Sequence, residues 1–117
     1  MQFNKLTPQE EQILLHQGTE APFSGESNDH KGQGIYTCKQ CNQELFTSTA
    51  KFNSGTGWPS FDDAIAGAVS EVTDGNRTEI VCSQCKGHLG HVFRGERMTE
   101  KSTRHCVNSL SLGFTEG

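Results

Sequence analysis

Two Cys-x-x-Cys pairs, Cys38–Cys41 and Cys82–Cys85, constrain the fold of this chain more than any other feature. Each has the knuckle spacing that lets one turn present two thiolates to a single ion, and together they supply the four sulfurs of a closed tetrahedral structural Zn²⁺ site. Residues 42–81 separate the pairs, well beyond the ~15–20 residues between the halves of a compact zinc ribbon. The ion, one per chain, would therefore clamp two distant hairpins together. Two thioredoxin-like redox motifs would need a strand-to-helix setting, whereas Cys38 and Cys82 end β-type runs followed by polar turns. A quartet in which His88 replaces a cysteine also has usable spacing, through Cys85-x-x-His88.

Around this clamp the chain is punctuated by glycine. Gly25, Gly32, Gly34, Gly55, Gly57, Gly67, Gly75, Gly87, Gly90, Gly95 and Gly113 cut it into short segments that long helices do not survive. One helix precedes them. Thr7-Pro8-Gln9-Glu10 combines a Thr N-cap, Pro at the first helical position and Glu at the capping-box position, and Gly18 is a stop. This predicts a short amphipathic helix over Thr7–Gln17, with Ile13, Leu14 and Leu15 as its apolar patch. Strands are predicted at Ile35–Cys38, Val69–Val72, Thr78–Cys82, Leu89–Phe93 and Arg104–Phe114, with Asp74-Gly75-Asn76 turning a hairpin. Along the last of these, Arg104, Cys106, Asn108, Leu110, Leu112 and Phe114 would share one face in a regular strand. The expectation is a mainly antiparallel β domain spanning residues 1–117, with a peripheral N-terminal helix.

Composition narrows the class. At 117 residues with a hydrophobic fraction of 32%, the chain builds a thin core, and a metal cross-link would compensate for it. A formal charge of −4 gives no electrostatic reason to expect nucleic acid as a partner. Arg94, Arg97, Lys101 and Arg104 are interrupted by Glu96 and Glu100, as in a solvated mixed-charge loop. The opening Met1-Gln2-Phe3-Asn4-Lys5 leads into polar sequence without an apolar signal core, and no apolar run approaches the ~18 residues of a membrane span. A cytosolic monomer is the expectation, and in a reducing compartment Cys-x-x-Cys pairs bind metal or catalyse rather than cross-link.

The fifth cysteine, Cys106, has no sulfur partner left. A lone cysteine is commonly a small buried hydrophobe. This one lies in Arg104-His105-Cys106-Val107-Asn108-Ser109, where a neighbouring cation would raise the thiolate fraction. Gly87-His88-Leu89-Gly90-His91 offers two imidazoles as proton donors on a close-packing segment. The only tryptophan, Trp58, stands in a turn-rich stretch near Phe52 and Phe61, where it either anchors a small core or forms an aromatic wall for a methyl or thioether group.

Three motifs carry a resemblance over almost the whole chain. Phe52-Asn53-Ser54-Gly55-x-Gly57-Trp58-Pro59-Ser60-Phe61, Gly87-His88-Leu89-Gly90-His91-Val92-Phe93 and Arg104-His105-Cys106-Val107-Asn108-Ser109 closely resemble the methionine-R-sulfoxide reductases of the B class. Leu6-Thr7-Pro8 and Gly18-Thr19-Glu20-Ala21-Pro22-Phe23-Ser24-Gly25 look like that family's opening, and the Cys-x-x-Cys pairs sit where its zinc-binding members have theirs. The resemblance implies two antiparallel sheets with peripheral helices. It also implies Cys106 as nucleophile on the sulfoxide sulfur, and His88, His91 and Asn108 as the groups that orient and protonate its oxygen. Trp58 and Phe93 would face the substrate, Arg104 would favour the thiolate, and Cys38, Cys41, Cys82 and Cys85 would hold zinc. Methionine sulfoxide in oxidised proteins is then the substrate, and thioredoxin, or glutathione with glutaredoxin, the reductant.

Two departures stand out. Thr56 occupies the position where many members carry the resolving cysteine, so the chain resembles a one-cysteine member. Arg94-Gly95 follows Phe93 where the family often shows Pro-Asp-Gly, so a carboxylate role from that loop does not carry over, and it would come from elsewhere or be absent. A zinc-stabilised binding module is the alternative. It accounts for the clamp and the glycines, but not for a spare cysteine with two histidines and an aromatic wall.

Overall fold

The structure, a computed structural model, describes residues 3–23, 25 and 32–116. Met1, Gln2 and the Ser24 of the opening motif lie outside the described residues. The helix, α1, spans Pro8–Leu14. Its capping box forms as the sequence implies: Glu10 N–H donates to Thr7 Oγ1 at 3.2 Å and Thr7 N–H donates to Glu10 Oε1 at 2.8 Å. The helix ends sooner than Gln17, and the left-handed residue is Gln17 (φ 58°) rather than Gly18. Gly18 matters instead for close approach: its N–H donates back to Gln12 C=O at 2.9 Å, and a Cβ there would come within 2.8 Å of that oxygen. Ile13 and Leu14 are buried, while Leu15 is exposed.

Among the described residues nine strands follow: β1 (Gly34–Cys38), β2 (Glu44–Thr47), β3 (Lys51–Phe52), β4 (Ser60–Phe61), β5 (Val69–Asp74), β6 (Arg77–Cys82), β7 (His88–Arg94), β8 (Thr103–Val107) and β9 (Leu112–Glu116). They form a three-stranded sheet in the order β2-β1-β9 and a six-stranded sheet in the order β3-β4-β8-β7-β6-β5, with antiparallel neighbours throughout. The mainly β, two-sheet architecture is the expected one. Asp74 pairs with Arg77 across a two-residue turn whose Gly75 has φ 58°, the left-handed conformation that such hairpins require. Between the sheets, Phe46 stacks on Phe61 with ring centroids 4.3 Å apart, and Tyr36 meets Phe61 edge-on at 5.1 Å. Leu45, Ile80, Leu89 and Val107 complete a buried core. No helix among the described residues is long and apolar enough to cross a membrane.

The single strand expected over Arg104–Phe114 is two strands in different sheets. β8 ends at Val107, a 3₁₀ turn covers Ser109–Ser111, and β9 crosses to pair with β1. Asn108 makes the break. Its N–H and Nδ2 both donate to Leu89 C=O, at 2.9 and 3.1 Å, a last tie to β7 before the chain turns away. Leu110 is consequently half-buried on the turn, not on a shared face with Cys106, while Leu112 reaches the core.

Candidate active site and metal centre

β8 and β7 lie side by side in register, which sets Cys106 opposite His91 and Arg104 opposite Phe93. With the Gly55–Trp58 loop and Thr19 they enclose a cavity of about 170 Å³, lined by Cys106, His91, Trp58, Phe93, Arg104 and Asn108 among others. Gly90 permits the close approach of the two strands, because a Cβ there would overlap the Cys106 carbonyl oxygen.

The two histidines three residues apart would face opposite sides of a regular strand. A bulge changes this. Ile80 pairs with Gly90 and Val81 with His88, so Leu89 is the extra residue on β7. The alternation reverses there, and the rings of His88 and His91 meet edge-on with centroids 5.6 Å apart. His91 lines the cavity and its Nε2 shares a 2.8 Å hydrogen bond with Asp74 Oδ2. His88 is not in the cavity wall. It is 3% exposed, and its Nδ1 shares a 2.6 Å hydrogen bond with the buried Glu79, whose carboxylate also accepts from Gln17 Nε2 at 3.3 Å.

Arg104 is held by a carboxylate from the loop after β7. Its Nε and one terminal nitrogen donate to the two oxygens of Glu96, at 2.8 and 3.1 Å. Its guanidinium carbon lies 4.5 Å from the Phe93 ring centroid, within cation–π range. The Glu96 contact holds the guanidinium above its ordinary pKa and the Glu96 carboxyl below its own. Burial pushes the Cys106 thiol up; Arg104 draws it back through charge and a hydrogen bond, and Glu20 and Glu96 push it up again. Burial outweighs the cation, so the thiol stands above its ordinary range, the reverse of what the flanking Arg104 suggests in the sequence.

Trp58 donates its indole N–H to Glu20 C=O at 2.9 Å, which turns the ring towards the cavity, while Phe61 enters the core. Thr56 also lines the cavity. Its Oγ1 begins a hydroxyl chain through Ser54 Oγ (2.8 Å) to Ser60 Oγ (2.8 Å), and Ser60 pairs with Cys106 across β4 and β8.

At the other end of β6, the sulfurs of Cys38, Cys41, Cys82 and Cys85 lie within 4.8 Å of one another. Cys38 and Cys85 Sγ are 3.6 Å apart, and Cys41 and Cys82 Sγ 3.5 Å. A tetrahedral ion with metal–sulfur bonds of about 2.3 Å spaces its ligands about 3.8 Å apart, so the four sulfurs fit a metal ion. The two knuckles share one backbone design. Cys38 N–H donates to Gln43 C=O and Cys82 N–H to Gly87 C=O; Asn42 N–H donates to Cys38 C=O and Lys86 N–H to Cys82 C=O. Each is closed by a left-handed residue, Asn42 and Lys86, both with φ 66°. Cys38 ends β1 and Cys82 ends β6, so the ion would join one sheet to the other.

Cys106, His91, Asn108, Trp58, Phe93 and Arg104 are thus gathered from distant segments, and His88 stands behind His91. Glu79, Asp74 and Glu96, which brace the histidines and the arginine, were not singled out in the sequence. They occupy a strand, a turn and a mixed-charge loop, where carboxylates are ordinary. Arg77 and Thr19 likewise line the cavity without a sequence signal of their own.

Residues 6–116 match the SelR domain family. Peptide methionine sulfoxide reductase B5 of Oryza sativa subsp. japonica is 49% identical over 113 residues, covering 94% of this chain and 83% of that protein. Peptide methionine sulfoxide reductase MsrB of Methanosarcina mazei is 50% identical over 117 residues, covering 95% of this chain and 82% of its own. Peptide methionine sulfoxide reductase B3 of Arabidopsis thaliana is 50% identical over 113 residues, which are 94% of this chain but 64% of that relative. The chain belongs to the SelR domain family, alongside the peptide methionine sulfoxide reductases B.

Proposed function

We infer that this chain is a peptide-methionine (R)-S-oxide reductase, with Cys106 as the nucleophile. The observation that carries the reading is the placement of Cys106 in one cavity with His91, Asn108 and the Trp58 ring. The Cys106 sulfur, once deprotonated, attacks the sulfoxide sulfur. His91 and Asn108 orient the sulfoxide oxygen and deliver its proton, with His91 braced by Asp74 and by His88 behind it. Trp58 packs on the substrate methyl group, with Phe93 as a further wall. The sulfoxide sulfur gains two electrons and becomes the thioether of methionine; Cys106 loses two and carries the oxygen as sulfenic acid. No net proton is consumed, since the thiol gives up what the sulfenic acid holds.

Recycling belongs to an external thiol. Thr56 faces the cavity with a hydroxyl, which cannot form a disulfide with the sulfenic sulfur, and the four other cysteines are gathered in the metal cluster. A thiol such as that of thioredoxin or glutathione attacks the sulfenic sulfur, releases water and leaves a mixed disulfide that a second thiol opens. Such thiols are plentiful in the cytosol, the compartment proposed here. We take the clamped ion to be zinc: closed by four thiolates it offers no open coordination position, and it serves the fold.

Intact-protein mass spectrometry after one turnover without reductant tests this. The expected product is Cys106 with one added oxygen, formed from the R epimer alone and absent in Cys106→Ser. Consumption of only the S epimer, or an internal disulfide after turnover, would overturn the reading.

A further inference from the structure

Glu20 is 8% exposed, and its Oε2 has no hydrogen-bond partner among the described residues. A buried carboxylate is expensive unless its surroundings use it. Three contacts do. Its N–H donates to Asn108 Oδ1 at 3.0 Å, its C=O accepts from Trp58 Nε1 at 2.9 Å, and its Oε1 accepts from Leu110 N–H at 3.0 Å. Trp58 and Asn108 are both walls of the cavity, and Leu110 lies in the 3₁₀ turn that follows Cys106. The segment carrying Glu20 is pressed down further along: Phe23 N–H donates to Gly57 C=O at 2.6 Å, and a side chain at Gly25 would run into Ser109 Oγ and Glu20 Oε2.

We propose that Glu20 is a positioning residue for sulfoxide reduction: its carboxylate, fastened to Leu110 N–H, pins the segment whose main chain sets Trp58 and Asn108. The proposal rests on the reading that these two residues hold the substrate. The side chain supplies the anchor, and the main chain does the holding. An amide at position 20 would keep the acceptor for Leu110 and remove the charge, whereas alanine would remove both. Cys106 feels the charges of Arg104 from its own strand, Glu96 from the loop after β7 and Glu20; His91 stands across the ladder and Arg77 lines the same cavity. Glu20 is one of the groups that raise the thiol.

The chain holds a single tryptophan, so its intrinsic emission reports Trp58 alone. In metal-loaded protein, Glu20→Gln is expected to keep the emission maximum and to move the pH profile of Cys106 alkylation to lower pH. Glu20→Ala is expected to shift the emission to the red, open the indole to acrylamide quenching and lower kcat/KM on a methionine-R-sulfoxide peptide on the order of tenfold. A folded Glu20→Ala with unchanged emission and kcat/KM overturns the proposal. So does a folded Glu20→Leu with unchanged emission and kcat/KM, which fills the same space without an acceptor for Leu110 and decides the matter if the alanine variant does not fold. Activity surviving in Cys106→Ser would sink the functional reading instead, and would leave the emission of the Glu20 variants as it is.

Discussion

At the scale of single residues, Cys106 is governed by competing influences. In the proposed reaction the thiolate is the nucleophile, and burial holds the thiol above its ordinary pKa. Reactivity in the resting protein is therefore low at neutral pH and rises as pH climbs through the raised value. Arg104 is the influence that draws the thiol back, so Arg104→Gln is expected to move the Cys106 alkylation curve, read by mass mapping, to higher pH. Reactivity at a fixed neutral pH then falls about tenfold per unit moved. A curve that does not move would mean that the guanidinium, paired with Glu96, has no hold on the sulfur. The sequence made the cation legible, because Arg104 and Cys106 alternate on a strand. It did not make the burial legible, because that comes from Trp58 and Thr19, contributed by segments far from the Arg104–Ser109 motif.

At the scale of the element, β7 does the unexpected work. Leu89 is inserted as a bulge, its carbonyl is taken by Asn108, and His88 and His91 turn to one side as a result. The spacing Gly87-His88-Leu89-Gly90-His91 showed two imidazoles without their relation, since a bulge exists only relative to the partner strand. The run Arg104–Phe114 was opaque for a similar reason. Apolar alternation continues through β9, and periodicity carries no mark of a change of sheet. The short strands β2, β3 and β4 were also missed, having too few residues for alternation to register. By contrast, the capping box of α1 and the Asp74–Arg77 hairpin are local chemistry, and both were legible. Gly90→Ala tests the β7–β8 packing, where a methyl group meets backbone and cannot be accommodated by a rotamer change. The expected cost is about 3 kcal/mol in denaturant unfolding, with metal content retained. An alanine accepted without cost would show that the strands are not so tightly apposed.

At the scale of the molecule, the four-sulfur cluster joins the end of β1 in the small sheet to the end of β6 in the large one. This long-range link was legible because four ligands on one ion leave little geometric choice. Metal-binding energy at such a site is folding energy, about 10 kcal/mol for small structural zinc sites. Chelation, or Cys38→Ser, Cys41→Ser, Cys82→Ser or Cys85→Ser, is expected to release the ion and to lower the thermal midpoint steeply or abolish the transition. Cys106→Ser should keep its full metal content. Elemental analysis beside a thermal melt checks both, and a metal-free variant as stable as the parent would exclude the structural role.

The strand order of the small sheet has a consequence for how the chain reaches this state. β1 is the central strand, with β2 close by in sequence on one side and β9 on the other, across most of the chain. The first pairing closes a short loop; the second must wait for a search whose entropic cost grows with the length enclosed. An ion that unites Cys38 with Cys82 carries out much of that search beforehand, fixing the end of β1 against the end of β6 and leaving only the stretch beyond Cys85 to find its place. With an ion in place, the clamp would favour an order of folding in which the knuckles form first and the small sheet is sealed last.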